Sequence, residues 1–387
     1  MQRETPTRRS RFIKRLWPIS IGVIVLGAVL LIGILIGREL GTSGPAQPYH
    51  ATSPTIATSP ARGTSTLKPR SSLASFPGAT NTGFENAPGY PGRLTDCNNL
   101  VIQSNTTYRF CDFPNGLAIG SAITHLTNIK FVGCRFASHQ VVDADVADYG
   151  QNITFSYSTF EPNTVSANSE PTSPSAKPIS AAESYQYGID LRYSGALTVD
   201  HSDFWGFSDA LQFVHSGRAN PVIISNSWIH NPSLDPTGAA HVDAILDSYG
   251  GASYMTFHHN TIVGNGNTQA LGLQGDTEGY DHVAITDNYF SGYGYTICIA
   301  THALSRDVTF TGNVLGADIE PTYGPIYNSE DFTTEGLGNV WRNNKYYVAP
   351  GASWLAAANS ELYWWPQDTK PSNPQQVIGH AADYTGP

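Results

Sequence analysis

A nine-residue pattern recurs seven times between residues 128 and 315. Its second and fourth positions are apolar in every copy, its seventh is small or polar, and its ninth is apolar again. Apolar residues that alternate with period two are typical of a β-strand. The copies are NIKFVGCRF from Asn128, NITFSYSTF from Asn152, ALTVDHSDF from Ala196, PVIISNSWI from Pro221, YMTFHHNTI from Tyr254, HVAITDNYF from His282 and DVTFTGNVL from Asp307.

The copies start 24 to 44 residues apart, and no helical periodicity separates them. A short fixed unit with variable insertions indicates a solenoid, in which one coil needs its neighbours to bury its inner face. A leucine-rich or doubly wound fold would require helices between the copies. Most intervals between copies are too short for a propeller blade of about 40 residues. The sequence therefore predicts an all-β fold, a parallel β-helix over residues 84–387. One interior column is expected to contain Ile153, Leu197, Val222, Met255, Val283 and Val308.

The first forty residues predict where the chain resides. Residues 16–37 carry no charge and would span about 30 Å as a helix, which matches the hydrocarbon core of a bilayer. Six basic residues and one acidic residue precede this segment. The positive-inside rule then predicts a cytoplasmic tail over 1–15, a single transmembrane helix over 16–37 and an extracellular main domain. A cleaved signal peptide is the alternative.

Residues 38–83 are rich in Ser, Thr and Pro, and we expect them to form a disordered linker. From residue 71 onward, 29 acidic residues face 11 basic ones. A surface of this sign repels phosphate, so we expect no nucleic-acid partner. The sequence thus divides into a tail, a membrane helix, a linker and one β-helix domain with terminal caps.

The four cysteines fit an oxidising compartment. Cys97 and Cys111 lie close in the chain, and we predict a disulfide between them. Cys134 and Cys298 fall inside or beside repeat units and are predicted to be buried as small apolar residues. No CxxC pair is present, so a structural zinc site has no support.

His258 and His259 are adjacent and invite interpretation as a metal or catalytic site. They occupy positions five and six of their copy, which are polar in nearly every copy. We therefore predict a solvent-facing edge of an ordinary coil. No residue is assigned as a metal ligand from the sequence, and the cofactor is left unknown, with calcium as a candidate.

Two aspartates precede neighbouring copies at nearly the same distance. Asp209 lies 13 residues before Val222, and Asp243 lies 12 before Met255. In stacked coils about 4.8 Å apart, the two carboxylates would face each other. Like charges at that distance raise the pKa of one of the two carboxyl groups. The predicted catalytic residues are Asp209, Asp243 and His241, which lies two residues from Asp243. The alternative is that both aspartates cap turns by accepting backbone N–H groups.

Further polar side chains are expected on the same surface. The insertions 161–184 and 230–241 support a groove there, because long loops of a solenoid gather at its binding face. The predicted substrate-binding residues are Gln212, His215, Asp247, Gln274 and His302.

The repeat pattern resembles the right-handed parallel β-helix of the pectate-lyase-like superfamily over residues 84–387. The stretches LTVDHSDF, VIISNSWI and MTFHHNTI are similar to strands of pectate lyases. That family places an arginine after the histidine-containing coil, whereas VGNGNTQALGLQGD contains none. The resemblance implies polysaccharide as the partner, and the missing arginine disfavours an uncomplicated pectate lyase.

Two functions remain open from the sequence. One is a membrane-tethered extracellular enzyme acting on polysaccharide, either a lyase or, in better accord with the charge, a hydrolase that uses Asp209 and Asp243 on a neutral glycan. The other is a non-catalytic glycan-binding or cell-envelope module. An enzyme should bring Asp209, Asp243 and His241 together at one open groove.

Overall fold

The computed structural model of the protein describes a series of segments that begins at Phe76 and ends at Tyr347. The chain separates into two units, 1–66 and 67–387, and every described residue belongs to the second. The predicted transmembrane helix 16–37 lies outside the described residues, as does the predicted linker up to Ser75. Within the described part of the chain, no helix has the length and hydropathy of a membrane span. The described residues are 76–119, 126–137, 142–143, 151–162, 179–180, 187–191, 196–213, 216–234, 241–247, 252–274, 279–299, 305–316, 319, 321–327 and 336–347.

The regular secondary structure of the described chain consists of β-strands and one short 3₁₀ helix at Phe84–Asn86. The strands in chain order are β1 (Thr95–Asp96), β2 (Thr107–Arg109), β3 (Cys111–Phe113), β4 (Leu117–Ala118), β5 (Thr127–Val132), β6 (Arg135–Ala137), β7 (Val142–Asp143), β8 (Gln151–Ser156), β9 (Thr159–Glu161), β10 (Ile179–Ser180), β11 (Tyr187–Leu191), β12 (Leu197–Asp200), β13 (Asp203–Trp205), β14 (Asp209–Phe213), β15 (Val222–Ser225), β16 (Trp228–His230), β17 (Ser233–Leu234), β18 (Ile245–Asp247), β19 (Ser253–His258), β20 (Thr261–Gly264), β21 (Gln269–Leu273), β22 (Asp281–Thr286), β23 (Tyr289–Gly292), β24 (Tyr295–Ile299), β25 (Arg306–Thr311), β26 (Val314–Gly316), β27 (Gly324–Tyr327), β28 (Val340–Arg342) and β29 (Lys345–Tyr347).

These strands form three long parallel sheets that the chain visits in turn. Sheet A has the order β1-β3-β6-β9-β13-β16-β20-β23-β26-β29. Sheet B has the order β2-β5-β8-β12-β15-β19-β22-β25-β28, and sheet C has the order β4-β7-β11-β14-β18-β21-β24-β27. Each strand therefore pairs with the equivalent strand one coil away, which is the arrangement of a parallel β-solenoid. The predicted all-β parallel solenoid is confirmed.

The predicted interior column is also confirmed. In sheet B, Ile153 pairs with Leu197 and Leu197 with Val222. The register continues through Met255, Val283 and Val308. All of these side chains are buried. Since each coil places the same position of the nine-residue pattern over the previous one, the period-two alternation produces one continuous apolar core.

A bend with a positive φ follows the sheet B strand in every copy. This conformation is unfavourable for most residues, and glycine, Asn and Asp accept it most readily. His259 lies at this bend, with φ 52°. The equivalent residues are Gly133, Tyr157, His201, Asn226, Asp287, Gly312 and Asn343.

A polar ladder runs through the interior directly after this bend, at position seven of the pattern. The Oδ1 atom of Asn288 accepts the backbone N–H of Asn260 at 2.9 Å, and the Oδ1 atom of Asn313 accepts that of Asn288 at 2.9 Å. Ser202 and Ser227 make the equivalent bonds with hydroxyl oxygens in earlier coils. Because the bend leaves these backbone groups outside the sheets, the side chains satisfy donors that would otherwise be buried without partners.

The amino-terminal part of the described chain lies against the solenoid. A disulfide joins Cys97 and Cys111, as predicted, and Cys134 and Cys298 are free and buried, as predicted. Phe76 packs on an apolar cluster of sheet A. The N–H of Gly83 donates to the carbonyl of His201 at 3.0 Å. Residues 76–83, which the sequence assigned to the end of the linker, therefore make specific contacts with the coils.

Two insertions meet on one side of the solenoid. Strand β10 follows the sheet A strand β9, and β17 follows the sheet A strand β16. These two short strands pair in parallel, with Ile179 opposite Ser233. Both short strands thus follow a sheet A strand and precede the sheet C strand of the same coil.

Candidate functional site

The candidate site is a column of polar residues at the start of three sheet C strands. The strand register pairs Leu211 of β14 with Ile245 of β18, and Ile245 with Leu271 of β21. Two residues earlier in each coil, the same register aligns Asp209, Asp243 and Gln269. The structure therefore places Asp209 and Asp243 in adjacent coils, at the equivalent positions that the spacing indicated.

Backbone hydrogen bonds fix both carboxylates. The Oδ1 atom of Asp209 accepts the N–H of Asp243 at 3.1 Å. The Oδ1 atom of Asp243 in turn accepts the N–H of Gln269 at 2.7 Å. The Oδ2 atom of Asp243 is buried, and no group of the described residues lies at hydrogen-bond distance from it. Each carboxylate thus ties its own coil to the next one.

Burial is the dominant electrostatic influence on the pair. Asp209 is 8% exposed and Asp243 is fully buried. Burial raises the pKa of the Asp209 carboxyl well above its usual range, and the nearby charges of Asp243 and Asp190 raise that pKa further. Burial also raises the pKa of Asp243 to about 6, although hydrogen bonds and the nearby His241 act in the opposite direction. Two adjacent carboxyl groups consequently hold their protons at much higher pH than free aspartate does.

Asp190 belongs to this cluster, and the sequence analysis missed it. It lies on β11, is fully buried and pairs in register with Gln212 of β14. Its charge raises the pKa of Asp209, so it lies close enough to interact. Strand β11 follows the long insertion 161–184, which removes the regular spacing that revealed the other two aspartates.

Tyr293 is a second member that the sequence did not indicate. Its ring is buried at the bend between β23 and β24, where φ is 64°. A side chain at Gly266 would collide with this ring, because an added Cβ would lie 2.2 Å from its Cδ1 atom. Burial raises the pKa of the Tyr293 hydroxyl, and the carboxylates of Asp243 and Asp209 raise it further. The phenol therefore stays neutral beside the acidic column.

The remaining predicted site residues differ in burial and in position along the strands. His241 is exposed, whereas Asp243, two residues later, is fully buried. Gln212 is 7% exposed and lies three residues after Asp209 on β14. Asp247 is buried at the far end of β18, and Gln274 donates to the sulfur of Cys298 at 3.7 Å. His215 and His302 lie outside the described residues. The roles assigned to these residues stay predictions.

The two adjacent histidines lie where the sheet B strand β19 ends, away from the aspartate column at the start of the sheet C strands. The Nδ1 atom of His258 lies 2.9 Å from the hydroxyl of Thr286, and that of His259 lies 2.8 Å from Oδ1 of Asn226. His259 also stacks on Phe76 with ring centroids 5.5 Å apart. Both rings therefore link neighbouring coils.

No family model, no curated protein and no solved structure matches this chain. The class defined by the coordinates is the parallel β-solenoid. Function has to be argued from the chemistry of the site.

Proposed function

We propose that this chain is a membrane-tethered, extracellular glycoside hydrolase of the right-handed parallel β-helix class that acts on a neutral polysaccharide. The carboxyl pair Asp209 and Asp243 carries the proposal. Hydrolysis of a glycosidic bond needs one carboxyl that holds a proton and a second that accepts one. Two adjacent aspartates with raised pKa values supply both forms close to neutral pH.

Each member of the pair has a role that fits its surroundings. Asp209 has the more strongly raised pKa and the greater exposure, so it is the acid that protonates the departing glycosidic oxygen. Asp243 has the less strongly raised pKa, about 6, so it is the base that takes a proton from the attacking water. The bond between the anomeric carbon and the glycosidic oxygen breaks, the water oxygen adds to that carbon, and solvent restores both protonation states.

The acidic balance of the domain favours a neutral substrate. From residue 71 onward the excess of acidic side chains would repel a uronate polymer. Gln269 follows Asp243 in the next coil and has an amide group that can exchange hydrogen bonds with sugar hydroxyls. Right-handed coiling is supported by the general preference of parallel β crossovers, about 98% of which have that hand.

Activity on a polysaccharide panel tests this function. The full-length chain in mild detergent would be incubated with neutral and acidic polysaccharides, while new reducing ends and the ultraviolet absorbance of unsaturated uronates are followed. We expect reducing ends from a neutral glycan without that absorbance. Asp209→Asn and Asp243→Asn should each lower the rate at least about 100-fold. Asp287→Asn, an exposed aspartate of sheet B, is the matched control and should leave the rate unchanged.

A non-catalytic glycan-binding module is the alternative function. The full burial of Asp243 and the backbone hydrogen bonds to both carboxylates favour it, because turn caps have these features. Binding of a glycan without release of reducing ends would support this alternative and reject the hydrolase. Activity that persists in both asparagine variants would reject the assigned pair instead.

The proposed location has its own test. Residues 16–37 are uncharged and follow a basic segment, which supports a membrane anchor with the solenoid outside the cytoplasm. Cells that produce either the full chain or a variant lacking residues 1–37 would be fractionated. We expect the full chain in the membrane fraction. External protease should cleave the solenoid from intact cells. Full-length chain in the soluble cytoplasmic fraction would reject the anchor.

A further inference from the structure

A second group of ionisable side chains lies where the sheet B strands β22 and β25 begin, away from the aspartate column at the start of the sheet C strands. Among the described residues, Asp281, His282 and Asp307 form a group whose potential ligand atoms all lie within 4.8 Å of one another. They come from two adjacent coils, because β22 and β25 pair with Asp281 opposite Arg306. The same register places His282 directly beside Asp307.

The backbone at this edge points the side chains toward a common position. His282 and Asp307 both adopt positive φ values, 54° and 51°, at the first position of their copies. The ring of His282 stacks on Tyr254 of the preceding coil, with centroids 4.5 Å apart and an angle of 16°. Its Nδ1 atom lies 2.8 Å from Oδ1 of Asp281. The imidazole is therefore held in place by a ring on one side and a carboxylate on the other.

The third candidate ligand, Asp307, is exposed and lies against the next coil on one side. Gly338 adopts φ +77°, and a Cβ atom there would lie only 2.5 Å from Oδ1 of Asp307. Glycine at this position leaves room for the carboxylate. Arg306 lies beside the group in register, yet among the described residues Asp281 and Asp307 form no salt bridge with arginine or lysine. Within the described segments, the negative charge of the two carboxylates is therefore not neutralised by an arginine or lysine side chain.

A groove opens next to these ligands. It has a volume of about 360 Å³, and His282 and Asp307 form part of its wall together with Tyr254. Ile223, Thr256, Ala284 and Thr309 on the outer face of sheet B form its floor. An ion held by three protein atoms at one edge of this groove would keep coordination positions that water or a ligand oxygen can fill.

We propose that Asp281, His282 and Asp307 bind a divalent first-row transition metal ion, such as Zn²⁺ or Mn²⁺, at the edge of the sheet B groove. Tetrahedral ligands at the usual distance of about 2.1 Å from such an ion lie about 3.4 Å apart, so a pair of ligand atoms at the 4.8 Å limit needs to close by about 1.4 Å. One imidazole with two carboxylates suits these metals, whereas Ca²⁺ and Mg²⁺ prefer oxygen alone. The inference does not depend on the chemistry proposed for Asp209 and Asp243.

Metal titration of the full-length chain in mild detergent tests the proposal. Zn²⁺ and Mn²⁺ would be titrated by calorimetry, with Ca²⁺ and Mg²⁺ as comparison ions, and Mn²⁺ binding would also be followed by electron paramagnetic resonance. We expect saturable binding of one Zn²⁺ or Mn²⁺ per chain and at least about tenfold weaker Ca²⁺ and Mg²⁺ binding. His282→Ala and Asp307→Asn should each weaken Zn²⁺ binding at least about tenfold.

Matched controls come from the opposite end of the sheet B strands, where β19 and β22 finish. His258 and Asp287 lie 3.9 Å apart at exposed positions in adjacent coils, but no third ligand accompanies them within the part of the chain that the structure describes. His258→Ala and Asp287→Asn should therefore bind Zn²⁺ like the unaltered chain. Thermal melting without metal would verify that each variant is folded. The proposal is rejected if Zn²⁺ binding is not saturable, or if folded His282→Ala and Asp307→Asn chains bind it unchanged.

Discussion

The backbone N–H of Asp243 donates to Oδ1 of Asp209 across 3.1 Å, so each of two stacked coils contributes one half of a buried carboxyl pair. The same bond that aligns the coils also positions the Asp209 side chain. Desolvation in this location favours the protonated carboxyl, which is the unusual state for aspartate at neutral pH. Coil stacking and acid strength are therefore coupled in this part of the molecule.

This coupling predicts a stability that falls as pH rises. Folding raises the pKa of Asp243 from 3.8 to about 6, so the folded chain binds this proton more tightly than the unfolded chain. The stabilisation is complete below pH 3.8 and is lost as pH rises through about 6. Urea unfolding of Asp243→Asn should show up to about 3 kcal/mol more stability than the unaltered chain at pH 7.5, and little difference near pH 3.5. An unchanged pH profile in this variant, with Asp287→Asn as the surface control, would contradict the assignment.

The fold could be predicted from the sequence because its signal is local and repeated. Ile153, Leu197 and Val222 occupy the same position of successive copies, and a strand with period two can bury them only by stacking on the next copy. The alignment of Asp209 and Asp243 could be predicted in the same way, because each lies at nearly the same number of residues before a copy of the nine-residue pattern. The burial of Asp243 does not follow, because it depends on how the coils and their insertions cover sheet C.

Two features of the sites could not be predicted from the number of residues between copies of the pattern. Asp190 lies in a coil whose length is altered by the insertion 161–184, so its alignment with Gln212 appears only in the register. His282 and Asp307 stand at the first position of adjacent copies, where the side-chain direction is set by a positive φ. Period-two alternation says nothing about such a residue, and the group with Asp281 was missed for that reason.

The interior polar ladder predicts a graded response at Asn288. Its Oδ1 atom accepts the N–H of Asn260, and its Nδ2 atom donates to the carbonyl of Phe257 at 2.9 Å. Asn288→Ala leaves both groups buried without partners and should destabilise the fold by about 3 kcal/mol. Asn288→Ser should cost less, because serine makes the equivalent bond at Ser227 in an earlier coil. Chemical denaturation measures both, and exposed Asn115→Ala should lie within about 0.5 kcal/mol of the unaltered chain.

Two glycines with similar φ values separate backbone strain from collision. Gly292 has φ +86°, and an added Cβ would lie 2.0 Å from the carbonyl oxygen of Gly264 in the adjacent strand. Gly89 has φ +80° with no atom within 4 Å of the added Cβ. Gly89→Ala should cost about 1 to 2 kcal/mol from the left-handed backbone alone. Gly292→Ala should cost at least about 3 kcal/mol more, or prevent folding, since the sheet must separate to admit the methyl group. Equal losses in thermal unfolding would contradict the close packing of β20 against β23.

The disulfide between Cys97 and Cys111 predicts a stabilisation that is confined to the first coil. It closes a loop with a sequence separation of 14, and Cys111 lies in β3, which pairs with β1 and β6. A loop of this length restricts the unfolded chain by about 3 kcal/mol. Cys97→Ser with Cys111→Ser should lower stability by up to that amount and speed amide hydrogen exchange in β1 to β3, with little change in β22 to β25. Cys298→Ser, which removes a free thiol, should leave exchange in β1 to β3 unchanged. Uniform acceleration along the whole solenoid in the double variant would instead show that the first coil unfolds together with all the others.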